Sequence, residues 1–462
     1  VPRAFLALPI LALYAACQGA PAFHGVRHPS ILIVLVDSLR PDYLGIYGFD
    51  GEISPAIDRL ATESVLFENS FSTAPWTKPA VASLLTSLYP EVHGVTNHLD
   101  KYWSGKSSSE RAGVLPQEAA TLAESLSANG YRTAAFVANP WFGKEFGFDQ
   151  GFEEYQTIWE TEPLLAAAAS WIHSNDRRPF FAYVHLMDVH APYEVRRRDY
   201  HALLKSRSLG PERTLTEEEY RAFPEHVLDT VVASDSERLD QRAWRAKYAA
   251  SVRSVDRRLA PFVDDLRRSG VLEDAFLVLT ADHGEELLQH GYWEHGLGFC
   301  DHQLRIPLLI RKPGAAQGGS RVTDLVSLVD LMPTLLSAAA VGAPPGLQGR
   351  DASRLLNGTS LGGEETIYSY ATVNDPALHA LRTRTHKLVL DTKTDVFQLF
   401  DLGVDPEEER DLAAIDSVSG KGLRDRLWEH LARMEARGPL AAEAAPLSDE
   451  LRERLRALGY VH

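Results

Sequence analysis

Cysteine is nearly absent: the 462 residues contain two, Cys17 and Cys300. So few thiols exclude a disulfide-stapled scaffold and any metal cluster built from cysteines. Basic residues are also scarce, 47 against 63 acidic ones, for a formal net charge of -16. A chain so short of Lys and Arg lacks the counterion-releasing contacts that hold nucleic-acid backbones, and no nucleic-acid partner is expected. Long apolar runs are missing too. The stretch 4–16, after Arg3, is too short for a permanent bilayer span, and a multi-span membrane protein is excluded. There is no internal repeat or low-complexity segment. What is there, 45% hydrophobic and 24% charged residues, is globular composition, long enough for one large domain and a smaller partner.

The opening residues combine a basic residue, an apolar run and small residues, the make-up of an export signal over about 1–27. Ala15-Ala16-Cys17 is similar to the end of a bacterial lipoprotein signal. The expectation is an exported, periplasmic or outer-surface protein, with Cys17 as the point of a lipid tether to the membrane.

From Pro29 onward the pattern is α/β. The run Ile31 to Val36 is apolar and β-branched without interruption, as in a strand buried on both faces of a parallel sheet. Residues 133–138, 180–186, 275–280 and 306–310 repeat that signature. Helical patterns lie between them, including 55–60 after Ser54, 116–129 and 244–268. The spacing predicts a large, mostly parallel mixed sheet sandwiched by helices. Residues 197–242 are polar and rich in Arg and Glu, and read as an insertion or lid. A Gly/Pro-rich stretch at 342–349 separates a catalytic domain, 28–348, from a smaller carboxy-terminal α+β subdomain, 349–462. HKLVLD and DVFQLFDL there read as short strands, and 423–458 as a charged helix.

Two acidic motifs follow buried strands: Asp37 ends ILIVLVD, and Asp282-His283 ends AFLVLTADHG. Open parallel sheets gather their sites at the carboxyl ends of strands, so these three side chains can converge on one cation. Mixed oxygen and nitrogen ligands favour zinc or manganese, with calcium behind them. Alone, Asp37 also fits a helix cap or turn. The third piece is APWTKPAVASLLTSLYP, where Thr77 stands to cap a helix starting near Lys78-Pro79. That helix terminus favours an anion, and a hydroxyl there bound to a cation becomes a nucleophile. Lys78 either binds anions or faces solvent.

Taken in order, VDSLRPDYLGIYG (36–48), SPAIDRLA (54–61), LLTSLYPEVHGV (84–95), GYRTAAFVAN (130–139), HAPY (190–193), TADHGEELLQHG (280–291), WEHGLGFCDHQLRIPLLIRKPG (293–314) and DLGVDPEEERDLA (401–413) resemble the sulfatase branch of the alkaline-phosphatase-like superfamily. The resemblance runs from Ile31 to about Leu412. It implies that Thr77 stands where sulfatases carry a formylglycine made from cysteine or serine. It also implies metal ligation by Asp37, Thr77, Asp282 and His283. Asn139 and Lys78 would contact the anionic substrate, and His190 and His295 would contact substrate or pass a proton to the leaving oxygen. The signature departs from the family at Thr77-Lys78-Pro79-Ala80-Val81, where the cysteine and the following arginine are missing, and at Ala138-Asn139-Pro140, where Lys-x-His is expected. Threonine at this position looks like the related phosphodiesterases and phosphoryl transferases.

The reading is therefore a hydrolase of phosphodiesters or phosphonate esters with one divalent metal, acting through Thr77 and a covalent phospho-threonine. A sulfuric ester hydrolase without formylglycine and an extracytoplasmic phosphoryl transferase are the alternatives. The partner in each case is an anionic phosphate or sulfate ester. His290 and His302 lie near the same loop and are expected in structural hydrogen bonds.

Overall fold

The computed structural model of the chain describes residues 28–96, 111–204 except 175 and 194, residue 209, and 241–457 except 292, 316–318, 364, 371–376 and 442. The expected export segment, Cys17 with it, lies outside these residues, as does most of the 197–242 insertion. Among the described residues no helix is long and apolar enough to cross a membrane.

Sixteen strands are described: β1 (Ser30–Val36), β2 (Val65–Phe71), β3 (Arg111–Gly113), β4 (Arg132–Val137), β5 (Glu154–Thr157), β6 (Phe180–Leu186), β7 (Ala275–Thr280), β8 (Glu286–Leu287), β9 (Trp293–Glu294), β10 (Arg305–Arg311), β11 (Arg321–Ser327), β12 (Ile367–Tyr370), β13 (Leu378–Arg382), β14 (His386–Asp391), β15 (Val396–Asp401) and β16 (Ala444–Pro446). Eight of them form one sheet in the order β11-β2-β10-β7-β1-β6-β4-β5. Only β10 runs against the others. The fold is the expected one: a mixed, mostly parallel sheet flanked by helices, with a smaller β-rich carboxy-terminal sheet, β12-β13-β14-β15.

The apolar run of β1 is buried along its whole length because strands lie on both sides of it and helices cover both faces. Each fully buried Ile, Leu or Val there contributes about 1.5–3 kcal/mol relative to exposure. Parallel pairing sets Leu35 opposite both His185 and Thr280. The carboxyl ends of β6, β1 and β7 are thereby level, and the residues following them meet.

Three local expectations are revised. Thr77 does not cap its helix: Trp76 is the N-cap and Thr77 opens the helix Thr77–Thr86, so its hydroxyl is released from capping. The 423–458 segment is not one helix, because Gly438 in the left-handed region and Pro439 end Ser417–Arg437, after which come β16 and the helix Asp449–Ala457. The 116–129 helix is confined to Leu122–Ser127, started by a Thr121–Glu124 capping box.

Candidate active site

At the end of β1 the chain turns through Ser38, held at φ 60°. That left-handed conformation is unusual for a residue with a side chain. It is fixed from outside by the Tyr248 hydroxyl, which donates to the Ser38 carbonyl at 2.6 Å and accepts the Arg40 N–H at 2.8 Å. The turn points the Ser38 N–H at Asp282 Oδ1 (3.2 Å), while the Ser38 hydroxyl donates to Asp37 Oδ1 (3.0 Å).

Both oxygens of Asp37 meet donors, whereas Asp282 keeps one oxygen free. Asp37 Oδ2 accepts from Asn139 Nδ2 (2.8 Å) and lies 3.2 Å from His185 Nε2. Asp37 Oδ1 lies 3.7 Å from His283 Nε2. Asp282 Oδ1 accepts the N–H groups of Ser38 and His283, whereas Asp282 Oδ2 is buried without a hydrogen-bond partner, 3.4 Å from His283 Nε2. His283 Nδ1 is 2.8 Å from the Gly284 carbonyl, which as an acceptor fixes the proton on Nδ1. The Nε2 lone pair therefore faces both carboxylates, with the Thr77 hydroxyl 3.0 Å away.

The electrostatics call for a cation. Burial, reinforced by the Asp37 charge, pushes the Asp282 carboxyl well above the usual range. Burial pushes Asp37 the same way, but the His185 hydrogen bond and the neighbouring histidines outweigh it and hold Asp37 ionised. Burial drives His283 well below its ordinary value, so it is neutral, as a metal ligand must be. An orphaned carboxylate oxygen, a second carboxylate and a neutral imidazole oriented by its own carbonyl bond fit a divalent ion.

The expectation of zinc or manganese ahead of calcium is overturned here. The cluster is the Asp/Asp/His metal site of this fold, which is of the calcium-binding type. Carboxylate oxygens dominate it, no thiol is among its ligands, and hard oxygen donors in a loose arrangement suit calcium.

The other expected site residues are placed as follows. His190 and His295 stand beside His283: ring centroids are 4.3 Å apart for His283–His295 and 5.0 Å for His190–His295. His295 Nδ1 is 3.2 Å from Glu285 Oε1. Burial first, then His190, lowers His295 to about 4, and burial raises Glu285. Asn139 is engaged on both ends of its amide, with Asp37 and with the Trp141 N–H, and so orients a ligand. Lys78 is buried, its amine 3.8 Å from the centre of the Phe146 ring and without a hydrogen-bond partner. Burial carries its pKa well below the ordinary value.

Sequence reasoning missed the roles of His185, Glu285 and Tyr248. The available signal for His185 was a histidine inside the apolar strand FFAYVHL, where an unpaired imidazole is costly. Tyr248 lies within a helical pattern far from the strand ends and carried none.

The family model described as Sulfatase matches residues 29–341, and one described as N-sulphoglucosamine sulphohydrolase, C-terminal, matches residues 289–437. The chain is 22% identical to an arylsulfatase of Clostridium perfringens, covering 82% of this chain and 89% of that protein. It is 27% identical to a choline-sulfatase of Rhizobium meliloti, covering 87% and 86%. Among solved structures, the phosphonate monoester hydrolase of Agrobacterium radiobacter superposes with a TM-score of 0.70 at 22% identity, over 88% of this chain and 95% of that one.

Proposed function

The chain belongs to the sulfatase family and carries an ester-hydrolase site of that type; from this premise we propose that it cleaves anionic sulfuric esters, with the Thr77 hydroxyl as the attacking group. The observation that carries the reading is the buried contact of Thr77 Oγ1 with His283 Nε2 at 3.0 Å, at the mouth of the Asp37–Asp282 pair. The relatives' sulfatase names support the sulfuric ester class.

Asp37, Asp282 and His283 would hold the cation, and Thr77 would complete its ligands. When bound, it neutralises charge on the transferring group and acidifies the threonine hydroxyl. Thr77 sits in the first turn of a ten-residue helix, so unpaired backbone N–H groups lie beside the reacting anion. The Thr77 hydroxyl gives up its proton to solvent, its oxygen bonds to sulfur as the sulfur–alkoxy bond breaks, and the departing oxygen takes a proton. His295 is placed to relay it: burial keeps both His295 and Glu285 neutral, and as Nε2–H passes to the leaving oxygen the Glu285 proton moves to Nδ1, so the ring stays neutral and Glu285 is left as the carboxylate. Water then attacks sulfur and releases the threonine. Lys78 meets the incoming anion as a buried amine with no competing acceptor.

A second reading, phosphoric or phosphonate esters, rests on Thr77 being an alcohol. An alcohol returns its group only by a second attack at the central atom, without the elimination open to a formylglycine hydrate. Brief exposure to nitrophenyl sulfate or to bis-(nitrophenyl) phosphate, an acid quench and peptide mass spectrometry separate the two. The expected result is a sulfuryl adduct on the Thr77 peptide, absent in Thr77→Ala, whose kcat falls at least about 10³-fold. An adduct from the phosphate probe alone moves the assignment to phosphoesters. Turnover retained in Thr77→Ala removes Thr77 as nucleophile.

A further inference from the structure

Beside the catalytic loop lies a second cluster. Glu286 Oε1 is 2.9 Å from His290 Nδ1, 3.2 Å from His302 Nδ1 and 2.9 Å from Cys300 Sγ. These four ligand atoms all lie within 4.8 Å of one another, and Glu286 and Cys300 are buried. None of the four belongs to the Asp37–Asp282–His283 centre. We infer that Glu286, His290, Cys300 and His302 form a structural zinc site, separate from the catalytic cation, that ties the catalytic loop to the carboxy-terminal subdomain.

The outer ring nitrogens carry the argument. His290 Nε2 is 2.8 Å from the Glu407 carbonyl, and His302 Nε2 is 3.4 Å from the Glu407 carboxylate. Both imidazoles therefore have an acceptor at Nε2, which places the proton there and leaves Nδ1 as a lone pair. Those Nδ1 atoms face a carboxylate oxygen. Without a cation both rings take a second proton to pair with it: the Cys300 and Glu286 contacts push His290 up to about 11, and, against its burial, Glu286 and Glu407 raise His302, so a cation would replace two protons in the cluster. With a cation among the four atoms, each ring binds through Nδ1 and donates through Nε2 to a carbonyl or carboxylate, the usual outer contact of a metal-bound histidine. A dication is balanced by one thiolate and one carboxylate, so the buried site is neutral overall. Two imidazoles, one thiolate and one carboxylate number four, the closed tetrahedral set of structural zinc. The thiolate and imidazoles set it apart from the oxygen-rich catalytic centre.

The consequence is mechanical. Glu286 follows His283 and Glu285 within three residues, Cys300 and His302 flank the start of the helix Asp301–Leu304, and Glu407 belongs to the loop after β15. Gly284 packs so tightly on the 302 backbone that a Cβ there would lie 2.0 Å from the His302 carbonyl oxygen. A cation in the cluster would fix the far side of the same loop.

The test uses the full chain, stripped of metal and titrated with zinc alone or cobalt alone. Bound cobalt in Cys17→Ser is expected to give a thiolate-to-metal charge-transfer band, because Cys300 is then the only thiol in the protein. Zinc is expected at one equivalent in Asp37→Asn/Asp282→Asn, and to bind at least about tenfold more weakly in Cys300→Ala. The absence of the band in Cys17→Ser overturns the site even where Cys300→Ala fails to fold. Zinc that stays in Cys300→Ala and leaves Asp37→Asn/Asp282→Asn also overturns it, since the ion then sits in the catalytic centre.

Discussion

Single side chains set the chemistry through what they are prevented from doing. Burial keeps His283 neutral, and the Gly284 carbonyl holds its one proton on Nδ1, so Nε2 stays a lone pair. Asp37 cannot rotate, because Asn139 and His185 share one of its oxygens. Asn139→Ala frees that carboxylate, and metal affinity is expected to fall about 10–100-fold with little change in the fold. Calcium titration by calorimetry measures it, and an unchanged affinity would refute the orienting role. Lys78 is the opposite case, a buried amine left without an acceptor. Replacing it by methionine removes that unpaired group, so Lys78→Met should melt no lower than the parent while KM for the ester rises roughly tenfold, the worth of one charge-assisted hydrogen bond. A lower melting temperature with unchanged KM would mark Lys78 as purely structural.

Elements turn these residues into a site. The helix Thr77–Thr86 is anchored at its far end by His93, whose Nδ1 accepts the Val95 N–H at 3.0 Å and whose Nε2 lies 3.2 Å from the Ser83 hydroxyl. Burial holds His93 at about 3. An unfolded histidine titrates near about 6.5. The unfolded chain therefore takes a proton that the folded chain refuses. This contribution is complete above pH about 6.5 and is lost as pH falls toward about 3, at up to roughly 1.4 kcal/mol per pH unit. Denaturant midpoints between those limits should fall more steeply for the parent than for His93→Gln; equal slopes would exclude His93 as the cause. Gly284→Ala tests the loop: the His302 carbonyl stands where the new methyl must go, and a loss of about 1–3 kcal/mol or more is expected in the same assay. The strands were legible in the sequence because uninterrupted apolar runs have one common use in an α/β chain, and β6 and β7 agree with them end to end. Asp37, Asp282 and His283 were legible as polar residues ending such runs. The Thr77 cap was misjudged because a threonine before Lys-Pro has the composition of a cap whether or not its hydroxyl is needed elsewhere. The metal was misjudged because ligand type was weighed without the whole site.

At the scale of the whole molecule, the catalytic loop lies between the large sheet and the carboxy-terminal one. Lys387 of β14 donates to the Phe299 carbonyl at 2.9 Å and pairs with Glu408 at 2.8 Å, joining the 299–302 segment to the smaller sheet. A ligand that binds only the folded chain stabilises it by mass action, about 2.7 kcal/mol at one hundred times its dissociation constant. In protein stripped of metal and resupplied with zinc for the second cluster, turnover should be absent until calcium is added, and the melting temperature should then rise as the logarithm of free calcium. Turnover supported by zinc and not by calcium would refute the calcium assignment. The inward-facing oxygens of Asp37 and Asp282 also impose an order in time. The Ser38 N–H meets Asp282 from 244 positions away, so Asp282 and His283 leave the ribosome long after Asp37. No amino-terminal fragment ending before β7 holds more than one carboxylate of the pair. The ion is thus acquired late in the life of the chain, and its capture reports that the two halves of the sheet have already found each other.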